Sequence, residues 1–244
     1  MRALSATELL SVWERGVNLG SLARAEVLLR AASEPGRDPE PSQLSLGERD
    51  ARLLTLREWT FGADVTATSR CPKCRTEVEL RLQINDLRVS GGEQPAEQNF
   101  CSDGYRMQFR LPNCGDLATI SAGSASESSL RRRLMEKCVS RIEREGEEIA
   151  SESLPEAVME SLSARMSELD PQAEIGLELS CESCSEPWKE LFDVESFFWT
   201  EIQAWAWQLL RDVHQLAASY GWAESAILAM SPVRRSLYLN LITG

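Results

Sequence analysis

The sequence predicts an α+β protein, mostly helical, with a small antiparallel sheet built from two cysteine-tipped hairpins and a C-terminal helical region. Three observations predict it. Cys71-Pro72-Lys73-Cys74 and Cys181-Glu182-Ser183-Cys184 share one C-x-x-C spacing, and alternating apolar and polar residues flank each pair as they do in strands. Elsewhere apolar residues recur every three or four positions, the period of a helix with one face on a core. Finally, five of the seven tryptophans fall between residues 188 and 222, in the most apolar part of the chain.

Ser5-Ala6-Thr7-Glu8 reads as a capping box opening a short helix through Leu9, Leu10, Val12 and Trp13. Leu22, Ala25, Leu28 and Leu29 mark a second helix over 22–32. Pro35, Gly36, Pro39 and Pro41 then enforce a loop. Ser45-Leu46-Gly47-Glu48 is another capping box, and Gly62 stops the helix it starts. Val65, Ala67 and Ser69 enter the first hairpin, and Val78, Leu80, Leu82 and Ile84 leave it.

A loop is expected at 90–95, and a strand carries Tyr105, Met107, Phe109 and Leu111 up to Pro112. Asn113 can cap a brief helix through Ile120, and 121–129 reads as a polar loop or hinge. Leu130, Leu134, Cys138 and Ile142, spaced by four, predict a helix whose other face holds Arg131, Arg132, Arg133 and Lys137. Pro155 fits the start of a helix carrying Val158, Leu162, Met166 and Leu169, and Asp170-Pro171 ends it. Ile175, Leu177 and Leu179 lead into the second hairpin, with Trp188 and Phe192 after it. A long helix over 196–220 carries Phe198, Ile202, Trp205, Leu209, Val213 and Leu216 in one stripe and ends at Gly221; two short helices follow, the last capped by Ser231-Pro232.

The domain expectation is N-terminal helices over 1–62, a split zinc-ribbon sheet over 63–195 with a helical insertion at about 112–170, and C-terminal helices over 196–244, together one integrated domain. Two C-x-x-C turns brought together present four thiolates at tetrahedral corners, the donor set of structural zinc. Cys71, Cys74, Cys181 and Cys184 are therefore the expected metal ligands, and one zinc ion would staple positions 110 residues apart. A redox pair of the thioredoxin kind should open a helix, whereas strand pattern follows both pairs. Zinc knuckles favour glycine after the second cysteine, where a positive φ is needed. Here those positions are Arg75 and Ser185.

Net charge is −12, with fourteen acidic side chains against four basic ones over 141–190, so a nucleic-acid surface is disfavoured. At 43% hydrophobic and 26% charged residues the composition is that of a globular chain. Residues 1–10 lack the apolar segment of a secretion signal, no run is long enough to cross a bilayer, and Cys101, Cys114 and Cys138 remain unpaired. A soluble protein of the reducing cytoplasm is expected, its three spare cysteines serving as small buried apolar residues.

No catalytic motif is present: there is no phosphate-binding loop, dinucleotide fingerprint, nucleophile elbow or zinc-protease motif. His214, the only histidine, lies within the long helix, with no orienting partner signalled on its face. A zinc held by four thiolates keeps no open position for water. The expectation is a non-enzymatic protein.

The order of short motifs is distinctive. Ser45-Leu46-Gly47-Glu48-Arg49-Asp50, the first C-x-x-C, Phe109-Arg110-Leu111-Pro112, Leu169-Asp170-Pro171-Gln172-Ala173-Glu174, the second C-x-x-C, Phe192-Asp193-Val194, Tyr220-Gly221-Trp222-Ala223-Glu224 and Ser231-Pro232-Val233-Arg234-Arg235 with Tyr238 resemble the T-even phage-type baseplate hub assembly chaperone family. Bacterial members of that family are similar to components of contractile injection system loci. The resemblance implies an assembly chaperone or structural baseplate protein that binds hub or spike proteins of a phage-tail-like particle, in the cytoplasm or within the particle. The alternative is a zinc-ribbon adaptor with a protein or nucleic-acid partner, using Arg131 to Arg133 or Arg234 and Arg235.

Overall fold

The computed structural model describes residues 1–89, 97–120 and 127–243, and the loop expected at 90–95 lies outside them. The chain divides into two compact units, residues 34–194 and residues 1–33 with 195–244. Helices predominate in the described residues, accompanied by three small antiparallel sheets.

In the 34–194 unit, α1 to α9 and β1 to β8 being numbered along the whole chain, α3 (Leu46–Phe61) begins where Ser45 Oγ accepts the Glu48 N–H at 3.1 Å. It ends at Gly62, whose φ of 89° turns the chain away while its N–H still closes on Glu58 O at 2.9 Å. Leu53, Leu54 and Leu56 are fully buried on its inner face. Gly47, in the first turn, donates its N–H to Asp170 Oδ2 at 2.9 Å, so two motifs far apart in sequence meet. Asp50 is buried beside Arg49, with 2.7 Å between Nε and Oδ1. Burial raises the Asp50 carboxyl above the ordinary range despite that arginine, and the charges of Asp193 and Asp170 add to the effect. Gln172 is buried and clamps the segment after the first hairpin, accepting from Val89 N at 2.7 Å and donating to Leu87 O at 3.0 Å.

The first hairpin pairs β1 (Asp64–Arg70) with β2 (Glu77–Gln83), and the second pairs β7 (Gly176–Ser180) with β8 (Pro187–Leu191). They do not merge into the one sheet expected from sequence. Each remains a two-stranded ladder, and side chains make the connection between them. The largest sheet is a third one, with strands in the order β3 (Gln98–Ser102), β4 (Tyr105–Phe109), β5 (Val139–Arg144) and β6 (Glu147–Glu148). Its Tyr105, Met107, Phe109 and Ile142 share a core with Met135 and Cys138 of α5 (Glu127–Cys138) and with Val158, Leu162 and Met166 of α6 (Glu156–Leu169).

Only β4 of that sheet was expected. The four-residue spacing that predicts a helix from Leu130 to Ile142 in fact crosses a junction: α5 stops at Cys138, and Ile142 pairs with Met107 in the sheet. Backbone pairing with β4 overrides the helical period there, and the register of the pair shifts at Gln108/Phe109. The hairpins at Asp103-Gly104 and Glu145-Gly146 both turn through two positive φ values, the two-residue turn that suits strand twist. Asn113 caps α4 (Cys114–Ile120) as expected, its Oδ1 accepting from Asp116 N at 2.9 Å. Of the segment 121–129, residues 121–126 lie outside those described, and Glu127 already belongs to α5.

The other unit holds α1 (Ala6–Gly16), α2 (Ser21–Ala32), α7 (Val194–Tyr220) from residue 195 onward, α8 (Glu224–Leu228) and α9 (Pro232–Thr243). Ser5 and Glu8 form the full reciprocal capping box. Trp199 fills the space over Gly16, where an added Cβ would fall 2.2 Å from its ring. Phe198, Ile202, Leu209 and Leu216 of the predicted stripe are fully buried, whereas Trp207 stands out and packs edge-on against Trp13 at 5.8 Å. At the end of α7, Tyr220 stacks on Trp222, and Tyr238 meets both rings edge-on. On α9, Val233, Leu237 and Leu241 are 70%, 60% and 73% exposed, a stripe on one helix face left facing solvent.

Candidate metal centre

The two cysteine turns are built alike. In the first, Cys71 N–H donates to Thr76 O at 3.0 Å and Arg75 N–H to Cys71 O at 3.0 Å. In the second, Cys181 N–H donates to Glu186 O at 3.0 Å and Ser185 N–H to Cys181 O at 2.8 Å. Both positions that sequence reasoning singled out adopt the left-handed conformation, Arg75 with φ 61° and Ser185 with φ 57°. The knuckle geometry therefore forms without glycine, and these side chains carry the conformational cost.

The turns meet tip to tip. All four sulfurs of Cys71, Cys74, Cys181 and Cys184 lie within 4.8 Å of one another. Cys71 Sγ is 3.6 Å from Cys184 Sγ and Cys74 Sγ is 3.5 Å from Cys181 Sγ, so each of these contacts crosses from one hairpin to the other. A tetrahedral ion with metal–sulfur bonds of about 2.3 Å holds its sulfurs about 3.8 Å apart. The donor set and the spacing fit such an ion.

Polar side chains fasten the hairpins around the thiols. Lys73 pairs with Glu186 at 2.9 Å, and Ser69 Oγ donates to Glu190, which also accepts from Trp188 Nε1 at 3.2 Å. Hydrogen bonds from the Thr76 hydroxyl and backbone pull the Cys74 thiol down to about 6. The Glu186 N–H favours the anion of Cys184, yet partial burial and the neighbouring thiols outweigh it and push that thiol up to about 12. Four adjacent sulfurs cannot all ionise freely without a cation to share the charge.

The remaining cysteines stay apart from the cluster. Cys138 is buried as expected, its thiol pushed up to about 12 by burial and the Asp116 charge. Cys101, expected inside, is exposed on β3 at the edge of its sheet. Of the basic residues on α5, Arg132 pairs with Glu136 at 3.0 Å and Arg131 donates to Ser163 Oγ at 2.7 Å. Arg235, expected on the surface, is buried and donates to Met230 O at 2.7 Å. His214 is exposed on α7. Among the described residues no helix is long and apolar enough to cross a membrane.

The family model described as T4 bacteriophage base plate protein matches residues 26–199, a span that includes both hairpins and all four clustered cysteines. Comparisons with curated proteins and with solved structures gave no match. The matched span takes in more than two thirds of the chain, from α2 to the start of α7, and on that basis this protein belongs to the T4 bacteriophage base plate protein family.

Proposed function

We infer that this protein is a non-enzymatic assembly chaperone or structural hub protein of a phage-tail-like contractile injection system, which binds hub or spike proteins of the baseplate. The family match over residues 26–199 carries the reading. Cys71, Cys74, Cys181 and Cys184 hold a structural zinc that joins the two hairpins across the segment inserted between them; the convergence of four sulfurs at suitable spacing supports this role. Partner binding falls to the C-terminal helices. There the exposed Trp207 and the Val233, Leu237, Leu241 stripe offer apolar surface that the chain itself leaves uncovered.

The test is fractionation of native cells that carry the tagged protein. Hub or spike proteins recovered with it only from soluble extract identify a chaperone, and the same partners in sedimenting particles identify a baseplate component. Absence of tail proteins from both fractions overturns the reading.

A further inference from the structure

The four clustered thiols differ in access. Cys71 and Cys181 are buried, Cys74 is exposed and Cys184 is half-buried. All four sulfurs lie within 4.8 Å of one another, and two of the contacts across the hairpins join an accessible sulfur to a buried one, Cys74 to Cys181 at 3.5 Å and Cys184 to Cys71 at 3.6 Å. An accessible thiol poised beside a second thiol is the arrangement in which a first oxidation is captured as a disulfide. We propose that this cluster is an oxidative modification site for peroxides, closing two disulfides across the hairpins, Cys74 with Cys181 and Cys71 with Cys184. The inference rests on the same thiols as the proposed zinc site and holds with or without the metal.

In each pair the sulfur of the accessible cysteine gives up its proton and attacks one oxygen of hydrogen peroxide. The O–O bond breaks, hydroxide leaves and a sulfenic acid remains. The buried thiol then attacks that sulfur, so that the S–S bond forms, the S–O bond breaks and the oxygen departs as water. Two thiols supply the two electrons that reduce one peroxide to two waters. Disulfide sulfur is a poor metal ligand, so any ion held there is released. The bonds span 107 and 113 residues, so the hairpins stay fastened after the metal has gone.

The experiment uses the full chain with Cys101→Ser, which removes the exposed thiol outside the cluster, after its zinc content has been measured. The protein is treated with hydrogen peroxide, remaining thiols are alkylated, and it is digested without reduction by trypsin and a glutamate-specific protease. Cleavage after Lys73 separates Cys71 from Cys74, and cleavage after Glu182 separates Cys181 from Cys184, so every pairing gives a distinct mass. The expected products are the 74–181 and 71–184 linked peptides, with loss of alkylation at all four cysteines. Bonds within each C-x-x-C pair, sulfinic acids without disulfides, or four alkylated thiols overturn the proposal. The two readings fail separately: zinc-free protein that forms the crossed bonds removes the metal and keeps the disulfides, and zinc-loaded protein that pairs within each hairpin does the reverse.

Discussion

The backbone N–H of Gly47 donates to Asp170 Oδ2 at 2.9 Å across 123 residues of sequence, and a Cβ on Gly47 would lie 2.0 Å from the other carboxylate oxygen. The first turn of α3 and the end of α6 can meet only because residue 47 has no side chain. Gly47→Ala should therefore break the hydrogen bond and force the segments apart, at a cost of about 2–4 kcal/mol. Chemical denaturation checks this, and an unchanged midpoint would count against the contact.

Replacing Cys181 and Cys184 by serine removes half of the sulfur cluster. The expected result is loss of bound zinc, read by elemental analysis, together with a stability loss of several kcal/mol. An unchanged melting curve, with no zinc in the unaltered protein, would sink the structural-metal reading.

Arg75→Gly and Ser185→Gly place the residue that tolerates positive φ where φ is 61° and 57°. Each should stabilise the protein by about 1 kcal/mol with zinc content unchanged. A fall in melting temperature would show that these side chains contribute something beyond the backbone turn.

The Glu8 carboxyl is held down to about 2 by hydrogen bonds from Arg2, from the Ser5 backbone and from the Ser5 hydroxyl. A depressed folded-state value means that this group stabilises α1 above the ordinary carboxyl range, and that its contribution fades as pH falls from about 4.5 toward 2. An NMR titration should place the midpoint near the lower value, and Ser5→Ala should move it upward.

Leu237→Glu alters the centre of the exposed α9 stripe, at a position that is 60% exposed. Stability should stay within about 0.5 kcal/mol of the unaltered protein, because no core contact is lost. Recovery of hub or spike proteins with the tagged chain should fall sharply. Full recovery would move partner binding to another surface.

Much of this was legible from short-range rules. The Ser5–Glu8 capping box, the Gly62 and Gly221 helix ends, and the helices carrying Val158 and Phe198 follow from hydrogen bonds and periodicities that span only a few residues. The Asp103-Gly104 and Glu145-Gly146 pairs were also visible signals, and reading them as two-residue turns would have revealed β3, β5 and β6. Strand β3 carries a single strong hydrophobe, Phe100, and the helical spacing through Cys138 to Ile142 concealed β5.

By itself the sequence determined which four cysteines share ligand spacing, where most helices begin and end, and which turns need an unusual φ. Tertiary structure decided that the two hairpins remain separate ladders, that Cys74 faces Cys181 and Cys71 faces Cys184, and that the α9 stripe lies bare while Phe198 and Ile202 are covered. The division has a physical cause. Caps, turns and periods are set by bonds between near neighbours, whereas pairings across 107 to 123 residues depend on how independently formed elements pack, and identical local patterns can pack in more than one way.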